Sequence, residues 1–173
     1  MWVQITISMP LMARAISGTN DAVSWVYALN SGMGIVLQYP VLRIAERYIS
    51  VSATLIMGVI IMALGLLSIA FVSTISLMLV SVTVYAIGRL LASPSQQTVA
   101  ANLSNPAVLG SYFGVSSLAL AIGGSLGNVT GGLMYEYGQR MQLPALPWLV
   151  SGSIGMLCVA GLLWMRTRYN GQF

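Results

Sequence analysis

Charge is the scarce commodity in this chain. Seven basic and three acidic side chains serve 173 residues, of which 57% are apolar. A soluble domain keeps about a quarter of its residues charged, because water has to wet its surface. Here the share is 6%, and the mean hydropathy is +0.86. The solvent must therefore be a lipid bilayer, which excludes a soluble enzyme, a disordered chain and a disulfide-stapled secreted domain. All seven bases are arginine, scattered at 14, 43, 47, 89, 140, 166 and 168. A nucleic-acid surface needs clustered, water-facing bases, so no nucleic-acid partner is expected. Cys158 stands alone in an apolar run and His is absent. That leaves no disulfide, no His-dependent catalysis and no metal set, and no cofactor is expected.

A helix needs roughly 20 apolar residues to cross the hydrocarbon core. Six runs qualify or come close: about 1–16, 22–42, 51–72, 76–99, 110–135 and 147–165. The connections between them are short, which makes neighbouring helices antiparallel. Strands of an outer-membrane barrel are about half as long and alternate in polarity, and these runs do not. The expectation is an all-α membrane protein with one six-helix transmembrane bundle over residues 1–173. The first run is short before Arg14 and lacks the positive start of a signal peptide. It reads as the end of a helix that is longer in a parent protein. Basic residues favour the cytoplasmic side. Arg43, Arg47, Arg166 and Arg168 outnumber Arg14 and Arg140, which places the 43–50 turn and the C-terminus in the cytoplasm.

The turn Tyr39-Pro-Val-Leu-Arg-Ile-Ala-Glu-Arg-Tyr48 resembles the cytoplasmic signature of the major facilitator superfamily. Ala45, Glu46 and Arg47 stand where that signature has Ala-Asp-Arg, while its opening Gly and trailing base are missing. Ala86-Ile-Gly-Arg-Leu-Leu-Ala-Ser-Pro94, the glycine-rich stretch from Gly110 to Gly127 and Leu146-Pro-Trp148 are similar to the C-terminal half of a multidrug-resistance branch. The resemblance implies half of a twelve-helix transporter in a bacterial inner membrane. It implies a small-molecule substrate bound between two halves near the midplane, and a missing N-terminal half or a second copy as partner. It also gives Ala45, Glu46 and Arg47 the role of a cytoplasmic gating motif. A carboxylate just before Val51 would meet the positive end of the next helix. For Arg43 and Arg47 the plain alternative is an ordinary positive-inside anchor.

Inside a bilayer every polar side chain needs a partner or water. Ser81, Tyr85, Arg89, Ser93 and Gln96 follow at steps of four, four, four and three, which is one helical face. Arg89 lies roughly 14 Å deep, counted from Thr98 at 1.5 Å per residue. A buried charge at such depth is costly unless it faces the bundle interior or water. Pro94, one turn on, is expected to kink the helix. Tyr27 and Gln38 occupy a second polar stripe with Ser24, Ser31 and Gly34, and Asn30 flanks it. Serines in such stripes often only join helices. The larger Tyr27, Asn30, Gln38, Tyr85 and Gln96, with Arg89, are the candidate substrate-facing wall. Gly123, Gly127 and Gly131 recur every four residues, a spacing that lets helix backbones approach. It suits static packing as well as a rocking contact. An intramembrane enzyme has no His for a Ser-His dyad and no carboxylate pair. A membrane subunit without transport activity is the remaining alternative to a transporter.

Overall fold

In the computed structural model, residues 5–6, 8–104 and 109–168 are described. Six helices follow in order: α1 (Ser8–Ser17), α2 (Asp21–Tyr48), α3 (Val51–Ile69), α4 (Ile75–Leu103), α5 (Leu109–Arg140) and α6 (Leu146–Arg168). No strand occurs among the described residues. Among the described residues four helices, α3 to α6, are both long and apolar enough to cross a membrane. α2 has the length, at 28 residues, but Asn30, Gln38, Arg43, Glu46 and Arg47 dilute its apolar content. α1 has ten residues, and much of the rest of the first run lies outside the described residues.

Local chemistry sets the helix ends. Gly18 leaves α1 at φ +70°, and its N–H donates to the Arg14 carbonyl at 2.9 Å. Only glycine adopts that left-handed geometry without steric cost. Ser50 caps α3, its hydroxyl accepting from the Ala53 N–H at 3.4 Å. Thr74 caps α4 in the same way through Leu77. The cap at Ser50 corrects the sequence reading of Glu46. Residues 43–48 are not a turn but the last turns of α2, which runs through Pro40 and leaves only 49–50 before α3. Helix propensity carries the chain on, because Leu42, Arg43, Ala45, Glu46 and Arg47 all favour the helix. Glu46 is therefore exposed near the C-terminal end of α2, not at the N-terminus of α3.

α3 and α4 form the tightest antiparallel pair, and glycine is the reason. A Cβ placed on Gly58 would lie 2.6 Å from the Ala92 nitrogen, and one on Gly65 would lie 2.6 Å from the Tyr85 nitrogen. From the other side, a Cβ on Gly88 would lie 2.7 Å from the Gly58 carbonyl oxygen. α6 packs on α3, where Gly152 faces Leu67. α2 lies along α4, and α1 rests mainly on α2. The buried core gathers at the end where α3 finishes and α4 and α6 begin. Met9, Val26, Leu66, Ile69, Met78, Tyr85 and Trp148 are fully buried there. Two tyrosines tie α1 down: Tyr27 donates its hydroxyl to the Thr6 carbonyl at 3.2 Å, and Tyr135 reaches the Leu11 carbonyl at 3.5 Å. α5 is the outlier. It touches chiefly α6 and α4, and Val115, Leu118, Ile122, Leu126 and Val129 are all exposed. A surface of this kind fits a hydrocarbon solvent or another protein face.

Candidate functional site

Between α2 and α4, on the Arg43 side of the core, opens a groove of about 650 Å³. A cavity of that volume lies within the range that accepts drug-sized molecules. Its α2 wall consists of Asn30, Ser31, Gly34, Ile35, Gln38, Tyr39 and Leu42; its α4 wall consists of Ala86, Arg89, Leu90, Ser93 and Pro94. Steps of three and four along both helices bring these residues to one face. Gly34 keeps the α2 wall low, since a Cβ there would meet nothing within 4 Å.

Arg89 is the charge in this groove. It sits at the midpoint of α4, with roughly 21 Å of helix on either side at 1.5 Å per residue. That is deeper than the sequence suggested, because α4 continues past Thr98 to Leu103. Its Nη1 donates to the Asn30 Oδ1 at 3.2 Å, so α2 and α4 meet across the groove through a charge-assisted hydrogen bond. A guanidinium carries five N–H donors, and this one lines an open cavity where a ligand oxygen can reach it. Pro94 has no N–H to give the Leu90 carbonyl, and both residues line the groove. The Leu90 carbonyl therefore lacks the usual helical donor at residue 94.

The expected wall residues separate into three groups. Arg89, Asn30 and Gln38 come together in the groove. Gln96 turns to the other side of α4. There it lines a second cavity of about 270 Å³ with Gln97, Phe113, Ser116, Ser117 and Leu120, and Ser93 is common to both cavities. Tyr85 and Tyr27 are in neither. Tyr85 is fully buried in the core, where the close approach of Gly65 covers it, and Tyr27 serves as the tether of Thr6. Both therefore leave the proposed wall. Tyr39 and Leu42 enter it instead. Both lie inside the expected run 22–42 but were missed, because the polar stripe was followed only as far as Gln38 and a tyrosine and a leucine beyond it carry no polar signal.

At the end of α2, Ala45 is buried while Glu46 and Arg47 are exposed. Arg43 donates to the Tyr39 hydroxyl at 3.2 Å, and the Arg47 guanidinium stands 5.7 Å from the Tyr48 ring centre. Among the described residues the one ion pair is Arg140–Glu136, at 2.6 Å on the exposed end of α5. No group of three or more metal-ligating side chains occurs among them. Along α5, Gly131 is buried and Gly127 half-buried. A Cβ on Gly123 would meet nothing within 4 Å.

The profile of the Major Facilitator Superfamily matches residues 1–172, and the chain belongs to that family of membrane transport proteins. The multidrug resistance protein MdtH of Yersinia pestis (strain Pestoides F) is 35% identical to it over 166 residues. The same protein of Yersinia pseudotuberculosis serotype O:1b (strain IP 31758) is identical to the same extent. In both alignments 96% of this chain is covered but 41% of the relative, so the chain spans about two fifths of the curated relatives' length. No solved structure matches it significantly.

Proposed function

We propose that this chain acts as the C-terminal six-helix half of a secondary transporter that exports drugs or other small solutes by alternating access. The observation that carries this reading is the groove itself. It is large enough for a small molecule, lies at the middle of α4 and holds an arginine fixed by Asn30. A charge at that depth is tolerated only on a protein- or water-facing surface. The groove is open on one side, so a second wall has to come from an N-terminal half or a second copy. The name of the Yersinia relatives, multidrug resistance protein, supports drugs as the cargo.

Several finer assignments accompany this reading. The transporter lies in the bacterial inner membrane, with residues 43–50 and the C-terminus in the cytoplasm, as the arginine distribution favours. Arg89, Asn30 and Gln38 form the substrate wall, and Gln96 extends it toward α5. Ala45, Glu46 and Arg47 hold a cytoplasmic contact from the end of α2. Gly123, Gly127 and Gly131 serve helix packing or a rocking contact along α5.

The test is accumulation of fluorescent drugs in a pump-deficient bacterium producing this chain with its N-terminal half. Accumulation of at least one compound should fall, and Arg89→Leu should restore it while the protein remains in the membrane. Unchanged accumulation of every compound, or export that survives Arg89→Leu, would count against the reading.

A further inference from the structure

A further, unrelated cavity lies at the Arg43 end of the bundle. It is a crevice of about 40 Å³ between the start of α3 and the ends of α4 and α6, lined by Ser52, Leu55, Ile56, Val99, Leu162 and Arg166 among others. Its volume is a few times the ~10–15 Å³ that one buried water needs, so it accepts a short piece of a chain and not a whole solute. Four of those side chains are hydrocarbon. The other two are not explained by the fold. Ser52 is 7% exposed, and its hydroxyl is buried with no hydrogen-bond partner among the described residues. A hydroxyl in that position is costly unless something satisfies it. Arg166 stands at the opposite wall in the last turn of α6, exposed. Arg168 follows it, with its guanidinium 5.3 Å from the Trp164 ring centre. At this end Arg43, Arg47, Arg166 and Arg168 face a single acid, Glu46, so the local charge favours an anion.

We infer that the crevice is a binding site for an anionic phospholipid of the surrounding leaflet. The first methylenes of one acyl chain fill the apolar floor, the phosphate accepts from Arg166, and Ser52 donates to an oxygen at the glycerol end. A tryptophan beside the arginine pair suits the headgroup depth, where amphipathic rings settle. A free phosphate would satisfy the two polar groups but leave the apolar floor empty. The inference does not rest on the transport reading, since the crevice lies apart from the groove and shares no residue with it.

The experiment uses the full chain purified in mild detergent, with phosphatidylglycerol, phosphatidylcholine or inorganic phosphate added, and native mass spectrometry to count retained lipid. Phosphatidylglycerol should be held at least several-fold more tightly than phosphatidylcholine. Arg166→Gln should weaken it about fivefold, the factor one juxtamembrane cation carries, and Arg166→Lys should keep most of it. Ser52→Val should weaken phosphatidylglycerol while far-UV circular dichroism stays unchanged, and Arg43→Gln should leave retention at the wild-type level. Equal retention of the two lipids would overturn the site. So would a loss in Arg43→Gln as large as in Arg166→Gln, which would mean diffuse attraction to any arginine. Displacement of the lipid by millimolar inorganic phosphate would show a free-anion site and overturn the acyl part.

Discussion

The α3–α4 pair supports a stability experiment whose sign differs between two glycines in the same chain. At Gly88 an added methyl would overlap the backbone of α3, lying 2.7 Å from the Gly58 oxygen and 2.8 Å from the Met62 Cα. Carbon atoms settle at about 3.5–4.0 Å, so the two helices must part by roughly 1 Å locally. Neither obstacle is a flexible side-chain tip; both are backbone. Overpacking of this kind costs about 1–3 kcal/mol, and the upper end applies because nothing can rotate away. Alanine returns about 1 kcal/mol of helix propensity over glycine. The net effect of Gly88→Ala is a loss of roughly 2 kcal/mol. At Gly123 the same methyl meets nothing within 4 Å, so only the propensity gain remains, up to about 1 kcal/mol. Unfolding of the purified chain in mixed micelles by rising dodecyl sulfate, followed by far-UV circular dichroism, measures both. Gly88→Ala should unfold at lower detergent fraction than wild type, and Gly123→Ala at an equal or higher one. If Gly88→Ala is as stable as Gly123→Ala, the backbones of α3 and α4 are not in contact.

Other outcomes follow from the same geometry. Asn30→Ala removes the acceptor that positions Arg89. With hydrogen bonds to charged groups worth about 1.5 kcal/mol or more, ligand affinity in the assembled transporter should fall about tenfold, as read by fluorescence titration. Single cysteines at Val51, Ser73 and Gln142, in a background where the exposed native Cys158 is replaced by alanine, report the orientation. An impermeant thiol reagent added outside should label the last two only, and labelling at Val51 would reverse it. In liposomes, the chain alone should show no substrate flux under an imposed pH gradient. Its three carboxylates, Asp21, Glu46 and Glu136, stand in end turns of helices, and a membrane proton relay needs an acid within the bundle.

The fold class was legible because lipid imposes a simple code: apolar runs of a fixed length, with charges between them. The helix ends were less legible. Arg43 to Tyr48 look like a loop by charge, yet nothing in them breaks a helix, and an aromatic ring beside each arginine accommodates the charge. The groove was partly legible, since a step of three or four finds Asn30, Gln38 and Arg89 on the correct faces. It could not separate Tyr85 from Arg89, one turn apart, because that difference depends on Gly65 letting α3 lie over Tyr85. Attention to glycine spacing went to α5, where repeats are dense. The backbone-to-backbone contacts between helices occur instead at Gly58, Gly65 and Gly88, which no dense repeat marks. A glycine's role depends on what stands opposite, and one strand of sequence does not contain that.

Backbone contact between α3 and α4 also has a mechanical consequence. Where the two helices touch backbone to backbone, at Gly58, Gly65 and Gly88, there is no soft layer to shear, so around these contacts they behave as a single stiff keel. Arg89 is mounted on that keel and Asn30 is not. Any widening or narrowing of the groove is therefore a swing of α2 against a fixed reference. The 3.2 Å hydrogen bond between the two residues is the latch that such a swing must first release.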